Sequence, residues 1–167
     1  MGPLDQYRYL TDARHRLLDH IRALTPEQYG QSFPFGLGSV RRTAHHMAGA
    51  EWYLIGQLAG GPEGDYPFAS QRCPDFASLD RAWREQEPRT VETLAAERDW
   101  DRALEFTVTV PSKQVYRVKA SSLEVFTQVC FHEVHHRSQV MAMLRQMGVP
   151  VETLDFLLLA CEVTERV

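Results

Sequence analysis

The sequence lacks the features that define several large classes of protein. It contains no run of about eighteen apolar residues, so we expect no membrane-spanning segment. Its first residues show no basic region followed by an apolar stretch, so no signal peptide is predicted. The 167 residues carry a net charge of −4. Because domains that bind nucleic acid usually display a basic surface, this charge argues against nucleic acid as a partner.

Cysteine is also scarce. Only Cys73, Cys130 and Cys161 occur, far apart and odd in number, which argues against a disulfide framework and against a thiolate zinc site of the C-x-x-C kind. We interpret them as free thiols in a reducing cytoplasm. We expect Cys130 and Cys161 to be small packing residues, and Cys73 to lie in a loop where it could be exposed.

What the sequence does contain is the composition and periodicity of a helical domain. Apolar residues make up 44% of the chain and charged residues 24%, as in ordinary globular domains, so we expect one domain over residues 1–167. Apolar residues recur at three- and four-residue spacing, which is typical of amphipathic helices. The pattern predicts helices over Leu4–Leu24, from Ser39 as N-cap to a stop at Gly60, over Phe76–Arg98 with a kink at Pro88, from Ser121 or Ser122 to Met147, and over Thr153–Thr164, with loops over Tyr29–Gly38 and Gly61–Pro74.

One segment has a different period. Between Leu104 and Val118, apolar residues alternate with polar ones on either side of the short polar stretch Pro111–Gln114. Alternation about such a stretch predicts a β-hairpin, here a small appendage to a helical domain. The predicted fold class is therefore all-α: a four-helix bundle with long connections, a small β-hairpin before the fourth long helix, and a short C-terminal helix that closes the bundle.

The histidines carry the functional signal. Three of the seven fall within five residues, namely His132, His135 and His136. On a helix, residues four apart project from one face, so His132 and His136 point together. Both stand in the apolar stripe of the fourth long helix, where unpaired imidazoles are costly and a shared metal ion removes that cost. His135 falls on the flank of this stripe.

The second long helix supplies a third candidate ligand. It carries two adjacent histidines, His45 and His46. On a helical wheel His45 points nearly opposite the apolar stripe, whereas His46 borders it. The wheels therefore favour His46, His132 and His136 as ligands of one divalent metal ion. Three protein ligands leave coordination positions open for water or substrate, as a reactive metal site requires.

Other interpretations of these residues remain open. His132, Glu133 and His136 also fit the H-E-x-x-H motif of metalloproteases, although neither the third ligand nor the substrate-binding strand of such a protease is apparent. A solvated position is slightly preferred for Glu51 over a role in orienting a ligand. Arg137 and Gln139 could brace the site. The histidines could also be hydrogen-bonded residues of a purely structural bundle.

The segments around the histidines resemble the DinB/YfiT-like superfamily of small bacterial metal-binding helical bundles. Ala44–Trp52 is similar to the family's second-helix motif, a histidine followed five residues later by glutamate and an aromatic residue. His132–Gln139 is similar to its fourth-helix motif, two histidines four apart followed by arginine and glutamine, and Leu144–Gly148 to its glycine-terminated end. The order of elements agrees over nearly the whole chain.

The resemblance implies the ligands His46, His132 and His136, the same three that the wheels select. It also implies a bundle often found as a homodimer, with zinc or nickel in the site. Its better-understood relatives are metal-dependent transferases and isomerases that use small thiols such as mycothiol or bacillithiol. The apolar segment Leu154–Ala160 is a second reason to expect a homodimer.

Two functions follow as hypotheses. The first is a metal-dependent enzyme that acts on a small-molecule substrate, with small-thiol-dependent S-transfer or isomerisation as its chemistry. The alternative is a non-catalytic metal-binding stress-response protein. The sequence indicates no catalytic residue beyond the metal ligands, and the fold alone does not decide between the two functions.

Overall fold

The computed structural model describes residues 1–110 and 112–164. This part of the chain confirms the predicted fold class, since long helices dominate it and its one small sheet is a two-stranded antiparallel hairpin. In chain order the elements are α1 (Pro3–Arg22), α2 (Pro26–Gly30), α3 (Val40–Leu58), α4 (Phe76–Ala96), β1 (Ala103–Thr109), β2 (Val115–Ser121), α5 (Ser122–Gln146) and α6 (Phe156–Ala160).

The ends of the long helices follow local capping signals. The Ser39 side chain accepts a hydrogen bond from the backbone N–H of Arg42, which satisfies a free donor of the first turn of α3. Of the two serines that could cap α5, Ser121 does so, in a reciprocal box with Glu124. After α5, Gly148 adopts a φ of +75°, a conformation that glycine tolerates best.

Several predicted boundaries before the hairpin differ from the structure. Part of the predicted loop Tyr29–Gly38 belongs to the short helix α2, which starts earlier because Thr25 and Gln28 form a capping box. The third long helix, α4, ends at Ala96 instead of Arg98 and continues through Pro88. Packing stabilises the helix across the proline, since Trp83 and Leu94 are buried on either side of it.

The C-terminal helix was predicted too long and too buried. It spans only Phe156–Ala160, none of its residues is buried, and Leu157 and Leu158 are exposed. It therefore does not close the bundle in the predicted way. The segment is attached by the buried Leu154, whose carbonyl oxygen accepts a hydrogen bond from Tyr9.

The four long helices form a ring in which each has two main neighbours. Helix α1 packs against α4 and α5, and α3 packs against the same two helices. Helices α3 and α5 run antiparallel, since His46 near the start of α3 meets His132 in the middle of α5, whereas Arg102 links Leu58 at the end of α3 to Ser122 at the start of α5. In the described part of the chain, no helix is long and apolar enough to cross a membrane.

The hairpin lies beside the groove between α3 and α5. Its strands pair in register, with Phe106 opposite Val118 and Val108 opposite Tyr116, so their side chains share one face. The Tyr53 hydroxyl of α3 donates a hydrogen bond to the backbone carbonyl of Thr107 and ties the hairpin to the bundle. The hairpin is longer than predicted, and residue 111 of its predicted turn lies outside the described residues.

The predicted cysteine environments were partly wrong. Cys73 is buried, although it lies in the connection between α3 and α4, because this connection folds inward and also buries Phe68. Cys161 is exposed beyond the end of α6, and Cys130 is half-buried on α5. All three are free thiols, as predicted.

Candidate metal centre

The structure brings His46 of α3 together with His132 and His136 of α5. One nitrogen from each imidazole lies within 4.8 Å of the others, and the Nε2 atoms of His46 and His132 are 2.8 Å apart. We refer to these three residues as the histidine cluster. His45 turns away and places its Nδ1 atom 3.3 Å from the carbonyl oxygen of Phe68.

The donor set of the histidine cluster fits a divalent transition metal. A neutral imidazole has one N–H donor and one lone pair, so two Nε2 atoms at 2.8 Å need a proton or a cation between them. Imidazole nitrogen is a ligand that zinc and nickel both accept. The cluster could therefore hold one such ion, with His46, His132 and His136 as its protein ligands.

The protonation state of the histidine cluster also suits a metal ion. Burial, and the positive charge that His136 and His46 would carry, lower the pKa of His132 to about 3. Burial likewise lowers the pKa of His46 and of His136 from the ordinary value. The three imidazoles are thus neutral at pH 7, and neutral imidazole is the form that coordinates a metal.

Gln139, one of the two residues that the sequence suggested could brace the site, contacts the histidine cluster. Its Oε1 atom lies 2.9 Å from Nδ1 of His136 and its Nε2 atom lies 2.9 Å from Nε2 of the exposed His135. Because a carboxamide oxygen only accepts, Nδ1 of His136 carries the hydrogen and Nε2 keeps its lone pair. Gly36 makes room for this, since a Cβ there would lie 2.9 Å from Oε1 of Gln139.

Arg137, the other candidate for bracing the cluster, forms its hydrogen bonds with other residues. Its guanidinium donates to the hydroxyl of Tyr9 and lies 3.4 Å from the carbonyl oxygen of Leu154. It therefore fastens the C-terminal segment to α1 and α5, and it makes no hydrogen bond to the histidine cluster.

The metalloprotease interpretation conflicts with the position of Glu133. In an H-E-x-x-H protease, the glutamate acts as general base on water at the metal. Here the Glu133 carboxylate is buried and accepts two hydrogen bonds from Arg14, at 2.8 Å from Nη2 and 3.3 Å from Nε. Its oxygens face α1, so they are not free to serve as a base at His132 and His136.

Sequence reasoning missed a buried charged layer that connects all four long helices. The side chain of Arg14 is completely buried and contacts Glu51 of α3 at 2.9 Å, Glu133 of α5 at 2.8 Å and Glu87 of α4 at 3.6 Å. We call these four residues the Arg14 layer. It ties together the two helices that carry the histidine cluster.

The preferred interpretation of Glu51 as a solvated residue was therefore wrong. Besides Arg14, the Glu51 carboxylate accepts hydrogen bonds from the Tyr7 hydroxyl at 2.7 Å, Trp83 Nε1 at 2.9 Å and the Thr90 hydroxyl at 3.0 Å. A signal was available, since Glu51 stands four residues after the buried Met47 and so belongs to the apolar stripe.

A cavity of about 920 Å³ opens beside the histidine cluster. His46 and His132 form part of its wall, and the groove between α3 and α5 forms its floor. Tyr66, from the connection after α3, covers one side, because Gly49 leaves its hydroxyl the space that a side chain would fill. Ligand sites of small-molecule proteins are commonly of this size.

Comparison with known proteins agrees with this architecture. The DinB family model matches residues 3–166. A solved structure of a DinB-like protein from Bacillus cereus ATCC 10987 superposes with a TM-score of 0.65 at 18% sequence identity, covering 89% of this chain and 94% of that chain. No curated protein matches the sequence.

The structural likeness alone shows a shared fold, whereas the family match extends over nearly the whole sequence and includes α3 and α5, the two helices that carry the histidine cluster. The chain belongs to the DinB family.

Proposed function

We propose that this protein binds one divalent metal ion, zinc or nickel, through His46, His132 and His136, and that it is a metal-dependent enzyme acting on a small molecule. The observation that carries the proposal is the position of the histidine cluster beside a large cavity, with His46 and His132 in the cavity wall. A structural metal site is normally closed by four protein ligands, whereas three ligands beside a cavity leave room for a reacting molecule.

The favoured chemistry is S-transfer from a small thiol, with isomerisation as a related possibility. An ion held by three imidazoles lowers the pKa of a thiol or water molecule that reaches its remaining positions. In S-transfer the thiol releases its proton to solvent, and its sulfur bonds to an electrophilic carbon of the second substrate. The leaving group on that carbon departs with the bonding electron pair.

The chain's own residues serve this chemistry by holding the site in place. Gln139 fixes the ring of His136 through its Nδ1 atom. The Arg14 layer fixes α3 relative to α5, and with it the spacing of the three imidazoles. Rigid support of this kind favours catalysis because the reacting groups need no reorganisation. We also propose a cytoplasmic location, where free thiols such as Cys161 stay reduced.

Thiol binding can be tested spectroscopically on the cobalt-loaded protein. We expect millimolar thiol to change the visible spectrum, since a thiolate becomes a ligand of the ion. His46→Ala treated with cobalt in the same way is the control, because it should retain little of the ion and its spectrum should not respond to thiol. A spectrum unchanged by several thiols would contradict the S-transfer proposal and favour the alternative, a non-catalytic metal-binding stress-response protein.

We propose further that the protein forms a homodimer. The exposed apolar side chains in the described residues include Phe131 and Val134 on α5, and Leu157 and Leu158 on α6. Exposed apolar clusters of this kind often mark contacts between subunits. Light scattering at micromolar concentration should give about twice the chain mass of 19.2 kDa. A single species of the chain mass would contradict the dimer.

A further inference from the structure

The β1–β2 hairpin, expected from the sequence to be a small appendage, contributes a whole wall of the cavity beside the histidine cluster. Side chains of both strands line it, together with residues of α3 and α5. Along β1, Leu104, Phe106 and Val108 are half-buried while the residues between them are exposed. The hairpin therefore turns an apolar face towards the bundle.

Only part of this apolar face is used for packing. Leu104 and Phe106, with Ala120 of β2, pack against the buried cluster around Phe126. Val108 takes no part in that packing, yet it lines the cavity. The outer half of the face thus covers open space, so a ligand in the cavity would be its packing partner.

The distance from the histidine cluster to the hairpin suits a ligand of medium length. His46 and Tyr53 are seven residues apart on α3, which corresponds to about 10 Å along the helix. Tyr53 is the residue that holds the hairpin, through its hydrogen bond to Thr107 and its edge contact with Phe106, 6.4 Å between ring centroids. A molecule with a donor group at the histidines would reach the hairpin with its other end.

The charges in the cavity wall do not call for a charged ligand. The two charged residues that line it are Lys119 and Glu124. Glu124 is engaged by the backbone N–H of Ser121 at 2.7 Å, and Lys119 lies 3.7 Å from Glu105 of β1. Thr107, Thr109 and Gln128 are polar but uncharged, and most of the remaining lining residues are apolar or aromatic, including Leu54 and Val118.

We propose that the hairpin determines ligand specificity: its face formed by Phe106, Val108 and Val118 binds the uncharged, apolar end of a ligand whose donor group meets the histidine cluster. This inference rests on the proposed function, because it takes the ion as the anchor of the donor group. It adds the chemical class of the distal part of the ligand and the residues that select it.

The test compares ethanethiol with hexanethiol on the cobalt-loaded protein. Burial of each methylene corresponds to roughly a fourfold gain in affinity, so four additional methylenes should strengthen binding on the order of 100-fold. In Phe106→Ala this ratio should fall roughly fivefold to tenfold, with ethanethiol affinity unchanged. Val108→Thr keeps the shape of the side chain but replaces one methyl group with a hydroxyl, and it should lower the ratio about threefold.

Val115→Ala is the matched control. Val115 belongs to the same hairpin and is 64% exposed, but it does not line the cavity, so the ratio should equal that of the parent chain. Equal affinity for both thiols in the parent, or equal ratios in Phe106→Ala and Val115→Ala, would overturn the proposal. Circular dichroism of each variant shows whether the chain is folded, so that a changed cavity wall is not confused with misfolding. If Phe106→Ala does not fold, the ratio measured for Val108→Thr tests the proposal.

A second readout separates this inference from the proposed function. If neither thiol changes the cobalt spectrum, thiol chemistry fails, but the hairpin can still be probed by displacement of anilinonaphthalene sulfonate with 1-hexanol and ethanol. Stronger displacement by hexanol in the parent and in Val115→Ala, and its loss in Phe106→Ala, would support the hairpin's role. Displacement that is independent of chain length would overturn it.

Discussion

Replacing Arg14 by leucine is expected to destabilise the fold by about 3–5 kcal/mol, because it leaves buried carboxylates without their cation. The guanidinium lies 2.9 Å from Glu51 and 2.8 Å from Glu133, and both carboxylates are almost completely buried. Burial already raises the pKa of Glu133, while the charge of Arg14 opposes that rise. Without Arg14, these groups must take up protons or draw water into the bundle.

The free energy of unfolding, measured by urea denaturation, checks this prediction. Arg8→Leu is the control on the same helix, since Arg8 is exposed and its ion pair with Asp5 lies at the surface, and its loss should change stability by less than about 1 kcal/mol. Arg14→Lys keeps the charge but not the two-pronged contact with Glu133, so its loss of stability should lie between those of Arg14→Leu and Arg8→Leu. A loss in Arg14→Leu as small as that in Arg8→Leu would show that the Arg14 layer contributes little.

The helices were predictable because their signals are local. Ser39, Ser121 and Gly148 mark helix ends through hydrogen bonds and backbone geometry that involve only nearby residues. The short helix α2 was missed although its capping box, Thr25 to Gln28, is equally local. The C-terminal helix was misjudged because its apolar composition alone does not decide whether neighbouring elements cover it.

The histidine cluster could be predicted from the sequence for a similar reason. The spacing of His132 and His136 and the position of His46 on its wheel are properties of single helices, and the structure brings these residues together. Their role as ligands stays a prediction. The buried face of α5 is nevertheless wider than its apolar residues indicate, because it also includes the charged residues Glu133 and Arg137.

The Arg14 layer and the cavity depend on contacts between helices, and no single segment encodes those. Arg14 and Glu133 are 119 positions apart in the chain, and a periodicity argument treats each as an exposed charge. The hairpin was identified from alternation, but its place beside α3 and its share in the cavity wall follow from the Tyr53 contact. Such placements require the packed structure.

The three candidate ligands should differ sharply from their histidine neighbours in a substitution series. His46→Ala, His132→Ala and His136→Ala each remove one imidazole from the cluster and should lower metal affinity by more than the roughly 10–100-fold typical for losing a residue that only supports a ligand. His45→Ala and His135→Ala are matched controls, since His45 faces the Phe68 carbonyl and His135 is exposed.

The most direct test is the metal content per chain of the parent and these five variants after reconstitution with zinc or nickel and removal of loosely bound ions. Our account predicts one ion per chain in the parent, in His45→Ala and in His135→Ala, and little or none in the other three variants. Loss of the ion in His45→Ala with retention in His46→Ala would contradict the assigned ligands. A parent chain without metal after reconstitution with either ion would contradict the metal site itself.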